Sequence, residues 1–549
     1  MMSITRRLLF QQAAAAAAVS TPRLGRHRNL FNGDSCVYFY NPEIFHPEGL
    51  PYTAKAVHRY VDLLADNGVD TFLINPNAQV AFYPSKKLPT ILDGYRRGDR
   101  DFFRAHAVSA KVPPDKLELY LDDTTKFFNL YLDLVEAGVD WLAETSKACR
   151  RRRIAPWVSV RMNDMHGAGN PQSNFNCPLF KQSKYRLTGR TMTPAGEPYY
   201  YWAALNYELP EVRSYMMSHV REYVEEYDFE GMELDWLRNP QCCEPIAGAK
   251  QIQLMSSWIR EIRKLTKSRH RDFVLGLRLP ANLGYMKSIG VDVQALAREG
   301  IIDFVNFSNF WQTSWDIPYD RLRLDLGENV AIYGVTEDAP NWVEGYSPET
   351  KATGPRYLSA GVELLRGNAA SKLSMGVDGI EQFNFFCTDQ PRIPGMRAQY
   401  SGLRDLGDLS RLRGQSKHYC LSTARGHVSD LWETPAQLPV SLEPKTSRDF
   451  QLSMSREPAG RSCTIQLVFA DTTAIPEIGV RLNGGWPVFQ RTATRDLLFR
   501  NGPYTQHAPA HQAFNYRLDP AGIREGMNSF TLVITTAAAR LVSLEISIT

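Results

Sequence analysis

Long apolar runs are missing from this sequence. Nowhere do about 18 consecutive apolar residues occur, so no membrane-spanning helix is expected. Blocks of like charge are missing too. The 63 basic and 59 acidic residues are interspersed and leave a formal net charge of +4, which gives no electrostatic footprint for nucleic acid. The densest basic run, Arg150 to Arg153, falls where a helix should end and reads as a C-terminal cap and solvated face. Cysteine is scarce: eight residues are too few for a disulfide scaffold, and their spacing lacks the paired motifs of thiolate zinc sites. Cys242 and Cys243 are adjacent, and in an oxidising compartment either could pair with Cys177 or another loop cysteine. Gly-x-Gly-x-x-Gly after the first strand, a phosphate-binding glycine loop, an early His-x-His and His-Glu-x-x-His are all absent. Neither a dinucleotide fold nor a metal-dependent barrel hydrolase is expected, and no cofactor or metal is implied.

What is present is periodicity. Short β-branched or aromatic runs alternate with amphipathic helical stretches at Cys36 to Asn41, Thr71 to Asn77, Pro156 to Asp164, Gly231 to Trp236, Phe273 to Pro280, Asp303 to Asn309, Val330 to Glu337 and Gly379 to Phe386. Eight βα units predict a (β/α)8 TIM barrel over residues 34–412. Glycine recurs between helix and strand, as in Asn67-Gly68-Val69-Asp70 and Arg298-Glu299-Gly300-Ile301. After Arg413 the helical period stops, and short turn-bounded runs such as Phe450 to Met454, Cys463 to Phe469 and Leu541 to Ile548 predict an all-β sandwich over 413–549, resembling galactose-binding jelly rolls. Upstream, Thr5-Arg6-Arg7-Leu8-Leu9-Phe10 and the alanine run after it resemble a twin-arginine signal within residues 1–30. Export to the periplasm or outside the cell is the expectation.

Two long connections, Gln79 to about Leu121 and His166 to Tyr207, follow strands and should wall a cleft on the catalytic face. The second carries Asn170, Gln172, Asn174, Asn176 and Tyr199 to Trp202, amide and aromatic groups suited to sugar hydroxyls and ring faces. The segment Gly231-Met232-Glu233-Leu234-Asp235-Trp236 puts Glu233 and Asp235 on one face of a strand, about 7 Å apart. That face should be the barrel interior, where a carboxylate needs a partner or a function. Ser159, Arg161 and Asn163 on strand three and Arg278 on strand five are placed to bracket the pair. A carboxylate between cations suits a nucleophile or charge stabiliser. Asp235, nearer the rim, is the leading catalytic candidate; the deeper Glu233 also fits a buried ion pair. Glycoside hydrolysis needs a second, protonated carboxyl, and Glu337 at the end of strand seven is the first choice over Asp164, Asp316 and Glu381. Arg161, Asn163, Trp236, Arg238, Arg278, Asn306, Trp311 and Asn41 are candidates for holding a substrate.

The Pro210-Glu211-Val212-Arg213 helix start, the strand from Tyr227 to Pro240 and Ile154 to Arg161 together resemble the glycosyl hydrolase-like family 10 barrels, distant relatives of the α-amylase and α-galactosidase types. The resemblance spans about Cys36 to Phe386. It implies a carbohydrate substrate, matches Asp235 to the family's strand-four aspartate, and matches Arg238-Asn239-Pro240 to its Arg-Tyr-Pro. Glu233 stands where that family usually has histidine, and Asn239 where it has tyrosine. A noncatalytic polysaccharide-binding protein with a degenerate barrel is the other reading.

Overall fold

The computed structural model describes residues 24–187, 204–237, 239–244, 247–309, 313–337, 360–383, 385, 398–422, 434–470, 476–486, 492–494, 496–498 and 512–549. Eight parallel strands close a barrel in chain order: β1 (Asn29–Asp34), β2 (Thr71–Asn75), β3 (Ala155–Arg161), β4 (Gly231–Asp235), β5 (Val274–Leu279), β6 (Phe304–Phe307), β7 (Ala331–Glu337) and β8 (Gly379–Phe383). Gly68 (φ +80°) and Gly300 (φ +67°) turn the chain from helix into β2 and towards β6 through the left-handed region, as their place in the sequence suggested.

Strand one is not where the sequence put it. Val37–Phe39, inside the expected strand Cys36 to Asn41, forms a 3-10 turn, and β1 lies upstream. The aromatic run that mimics a strand is instead one side of a ring cluster, with Phe39 stacked on Tyr131 at 4.1 Å and edge-on to Trp141. The true strand is disguised because its inward positions, Asn32 and Asp34, are polar.

A second, antiparallel unit follows. Its larger sheet contains β9 (Lys417–Ser422), β10 (Val440–Leu442), β12 (Cys463–Ala470), β14 (Thr492–Thr494), β15 (Gln512–Leu518) and β17 (Ala539–Ile548). Its smaller sheet orders β11 (Thr446–Met454), β16 (Gly526–Ile534) and β13 (Ile478–Leu482). Leu467, Phe514 and Leu544 of the first and Phe450, Val480 and Phe530 of the second are buried in one apolar core, the sandwich that the turn-bounded runs predicted.

The Arg150 to Arg153 run does end a helix, Trp141–Arg152, and spends its charge locally: Arg150 reaches Glu230 at 2.9 Å and Arg151 reaches Asp62 at 2.5 Å. Cys36, Cys149, Cys177, Cys242, Cys243, Cys420 and Cys463 are buried and none forms a disulfide, so the expected pairing of Cys242 or Cys243 with Cys177 does not occur. Cys242 Sγ instead donates to the Ile289 carbonyl at 2.9 Å. Cys387 and residues 1–23, with the twin-arginine pattern, lie outside the described residues. Among the described residues no helix is long and apolar enough to cross a membrane.

Candidate active site

The barrel interior is built in layers. At the N-terminal end Leu30, Leu73, Ala155, Trp157, Phe304, Ala331 and Tyr333 form an apolar floor. Two glycines make room for it. A Cβ on Gly231 would meet the Trp157 ring at 2.7 Å, and one on Gly276 would meet the Phe304 ring at 2.3 Å, so these strand positions hold rings rather than side chains of their own. Below the floor, the His27 imidazole packs on Trp157 at 4.7 Å, and burial brings its pKa down to about 4.

Above the floor the interior turns polar. Glu233 accepts hydrogen bonds from Ser159 Oγ (2.7 Å), Asn32 Nδ2 (2.9 Å) and Asn306 Nδ2, and is fully buried. Burial, with Glu381 and Asp235 nearby, pushes its pKa well up. Glu381, on β8, is also raised, to about 7: burial is the main cause, Arg278 opposes it, and Asp235 and Glu337 add to it. Burial thus favours the protonated form at both positions.

The next ring is formed by the ends of the strands. Arg161, Asp235, Arg278 and Asn306 stand level on adjacent strands β3 to β6. Arg278 Nη1 lies 3.3 Å from both oxygens of Asp235, its Nε is 3.8 Å from Glu381 Oε1, and its guanidinium covers the Phe383 ring at 3.4 Å. Asp235 Oδ1 also accepts the Leu237 N–H at 2.9 Å. Arg161 donates to Asp34 at 2.5 Å and pairs with Asp164 at 3.4 Å. Burial acts to lower the pKa of Arg161, but the carboxylates of Asp34, Asp164 and Asp235 outweigh it and hold the guanidinium charged. Both arginines thus bracket Asp235 from the strands that the sequence indicated. Glu337 ends β7 on the inward face, within electrostatic reach of Glu381.

Beside this ring a cavity of about 1410 Å³ opens, lined by Asp34, Arg161 and His166 together with Phe39, Tyr40, Phe127 and Phe175, while Asp235, Arg278 and Glu337 are not among its lining residues. Both long connections line it, the first through Phe82 and Ile91 and the second through His166 and Phe175, as expected of segments on the catalytic face. His166 Nδ1 sits 2.8 Å from Asp164, which ties the second connection to Arg161.

No family model matches the chain, and no curated protein matches it. Solved structures resemble it in architecture: the α-L-fucosidase from Vibrio sp. strain EJY3 (11% identity, TM-score 0.38, 96% of this chain and 98% of that one) and the Geobacillus thermoleovorans α-amylase complexed with acarbose (11%, 0.36, 95% and 98%). The α-L-fucosidase isoenzyme 2 from Paenibacillus thiaminolyticus is similar at 12% and TM-score 0.41 over 72% of this chain, which spans 51% of that protein's length. Likeness this distant says nothing of substrate. The family 10 resemblance gains no support from a family model.

Several candidates fall away from the ring. Asn163 is spent on the backbone, donating to Gln241 O and Leu205 O and accepting Leu205 N–H. Trp236 faces the helical layer, edge-on to Tyr207 at 5.1 Å, as the alternation along β4 requires. Asn41 is buried at the start of the short helix Pro42–Phe45. Asp316 is spent on Gln437 at 2.8 Å, and burial raises its pKa to about 6. The amides of Asn170 and Asn174 donate to the carbonyls of Ala105 and Ile91 in the first long connection, and Asn176 donates to Gly167 O in its own loop, because long loops must satisfy their polar groups somewhere. Arg238, Trp311 and Tyr199 to Trp202 lie outside the described residues.

Two groups escaped the sequence reading. Asp34 did so because strand one was misplaced. Lys372 did so because a lysine in the helix Val362–Leu373 looks like an ordinary surface residue. It is buried instead, with its stem packed over Gly334 and its amine donating to Val335 O and Asn368 Oδ1. Burial lowers its pKa from 10.5 to about 7, with Glu337 opposing. Between those values the unfolded chain holds a proton that the folded chain has released, so this group makes stability rise with pH. Denaturant unfolding at pH 7 and pH 9 should show wild type gaining on Lys372→Met by on the order of 1 kcal/mol per unit. An equal pH dependence in both proteins would place the amine in solvent.

Proposed function

We propose that the chain is a glycoside hydrolase acting on an oligo- or polysaccharide. In this reading Asp235 is the nucleophile or charge stabiliser, and Glu337 is the general acid. The observation that carries the reading is the setting of Asp235: a rim carboxylate fixed by Arg278 and the Leu237 N–H, in the ring whose Arg161 also lines a cavity rich in aromatic side chains. Glycosidic cleavage builds positive charge on the sugar ring and negative charge on the departing oxygen. A preoriented carboxylate answers the first, and a protonated acid the second. Arg278 Nη2 is buried and has no hydrogen-bond partner among the described residues, which leaves a donor beside Asp235 for a substrate hydroxyl. Arg161 and Asp34 are placed to orient hydroxyls in the cavity, and its aromatic lining suits pyranose faces.

Glu233, with three hydrogen bonds and no opening to solvent, is a positioning residue in this scheme. Glu337→Gln should lower turnover of substrates with poor leaving groups by about 10²- to 10⁴-fold and largely spare activated aryl glycosides, which need little protonation. Rates of the purified variant on a matched pair of aryl glycosides check this. Equal loss on both substrates would remove Glu337 from the acid's role. A wild-type chain that retains glycans on an affinity gel but cleaves none of a broad panel would transfer the molecule to the noncatalytic binding class.

A further inference from the structure

The sandwich carries a side-chain cluster that carbohydrate cleavage does not use. β9 and β17 run antiparallel, with Cys420 opposite Glu545 and His418 opposite Ser547. His418 and Cys420 are two residues apart and share the face that Glu545 presents, while Tyr419 and Leu421 turn the other way. His418 Nε2 is 3.0 Å from Glu545 Oε2, and Cys420 Sγ is 3.6 Å from Glu545 Oε1. One ligand atom from each of the three lies within 4.8 Å of the other two, and all three residues are buried.

Their alignment is informative. Glu545 Oε2 accepts no hydrogen bond among the described residues, although an imidazole nitrogen stands 3.0 Å away. The two atoms therefore do not address each other as donor and acceptor. A carboxylate with no exposed surface needs a counter-charge, and the ion-pair partner that the described residues offer Glu545 is His418. The neighbouring Lys417 does not supply it, being paired with Glu457 at 2.9 Å.

We propose that His418, Cys420 and Glu545 form a zinc-binding site within the sandwich. Imidazole nitrogen, thiolate and carboxylate are a donor set suited to this borderline cation. A thiolate and a carboxylate together balance its two positive charges and leave the imidazole neutral. Tetrahedral zinc bonds would place nitrogen and oxygen about 3.3 Å apart and sulfur and oxygen about 3.5 Å apart. The contacts of 3.0 Å and 3.6 Å are close to those separations, the imidazole facing Oε2 and the thiol Oε1, so that the carboxylate presents one oxygen to each. Paired cysteine motifs give no hint of the site, because its ligands come from two strands distant in sequence. β9 also packs on the helix Val362–Leu373 so tightly that a Cβ on Gly367 would meet His418 O at 2.1 Å. The ion would pin the first strand after the barrel to the last strand of the chain.

The test uses the full-length chain, stripped by chelator dialysis and reloaded with Zn²⁺ or Co²⁺. The expected result is about one tightly held zinc per chain, and with cobalt a thiolate-to-metal charge-transfer band in the near ultraviolet. Cys420→Ser, His418→Asn and Glu545→Gln should each weaken Zn²⁺ binding by at least about tenfold, and Cys420→Ser should abolish the cobalt band. Near-ultraviolet circular dichroism identifies the variants that keep the fold, and the wild-type cobalt spectrum stands independently of them. A wild type that takes up no cobalt with a thiolate band overturns the proposal. So does a folded Cys420→Ser protein that binds zinc as tightly as wild type. Neither result depends on glycosidase activity.

Discussion

Asp235→Asn is expected to reduce turnover of aryl glycosides by about 10³-fold or more while leaving the melting temperature nearly unchanged. The substitution keeps the shape of the side chain and an oxygen for the Leu237 N–H, but removes the negative charge that faces Arg278. Because the residue stands at the end of β4, its contacts below the ring, from Glu233 down to the Gly231 and Trp157 pair, are untouched. An intact fold with little activity would locate the effect in the chemistry. Turnover at the wild-type rate by a normally melting variant would refute the proposed mechanism.

Arg278→Met should have the largest effect on stability, about 3–5 kcal/mol by denaturant unfolding, since it breaks buried ion pairs and strands their carboxylates. Arg278 contacts Asp235 and Glu381 and covers Phe383. Methionine preserves much of the stem but none of the charge. The loss should depend on pH. Glu381 is already raised from 4.5 to about 7, mainly by burial, and Arg278 restrains the rise, so removing the cation pushes its pKa higher. A carboxyl whose folded pKa exceeds its unfolded value contributes stability below the unfolded value and loses it as pH climbs through the folded one. The deficit of Arg278→Met relative to wild type should therefore be larger at pH 8 than at pH 5. A deficit that is constant between those values would mean that the residue acts through its packing on Phe383 alone.

How much of this was legible depended on which physical signal each residue leaves in the chain. β2 to β8 are runs of buried residues between helical periods, and their positions could be read directly. β1 could not, because a strand that feeds polar groups to the barrel interior has no apolar alternation, while the nearby Val37-Tyr38-Phe39-Tyr40 has the composition of a strand and the job of a ring cluster. Asp235, Arg161 and Arg278 were found together because strand alternation and strand order fix both face and level. Asn163 lies two residues beyond Arg161 and failed the same rule, because β3 ends at Arg161 and alternation ends with it. Glu381 was ranked below Glu337, and only its buried neighbours reveal its raised pKa. Lys372, Asp34 and the His418 cluster depend on contacts between distant segments, which no local pattern encodes.

The apolar floor makes the barrel a vessel stoppered at one end. Trp157 and Phe304, stacked at 5.0 Å, with Leu30, Leu73 and Tyr333 around them, fill its N-terminal end with apolar side chains. Glu233 and Glu381 lie between that floor and the arginine and aspartate ring, with Glu381 3.8 Å from Arg278, so the polar way out for a proton they exchange leads towards the mouth. A bound substrate would cork that same mouth. The deep pair would then keep, through the occupied interval, the protonation it had when the mouth closed. If the chain is the hydrolase proposed above, the pH of the medium would act on the free protein more than on the loaded one.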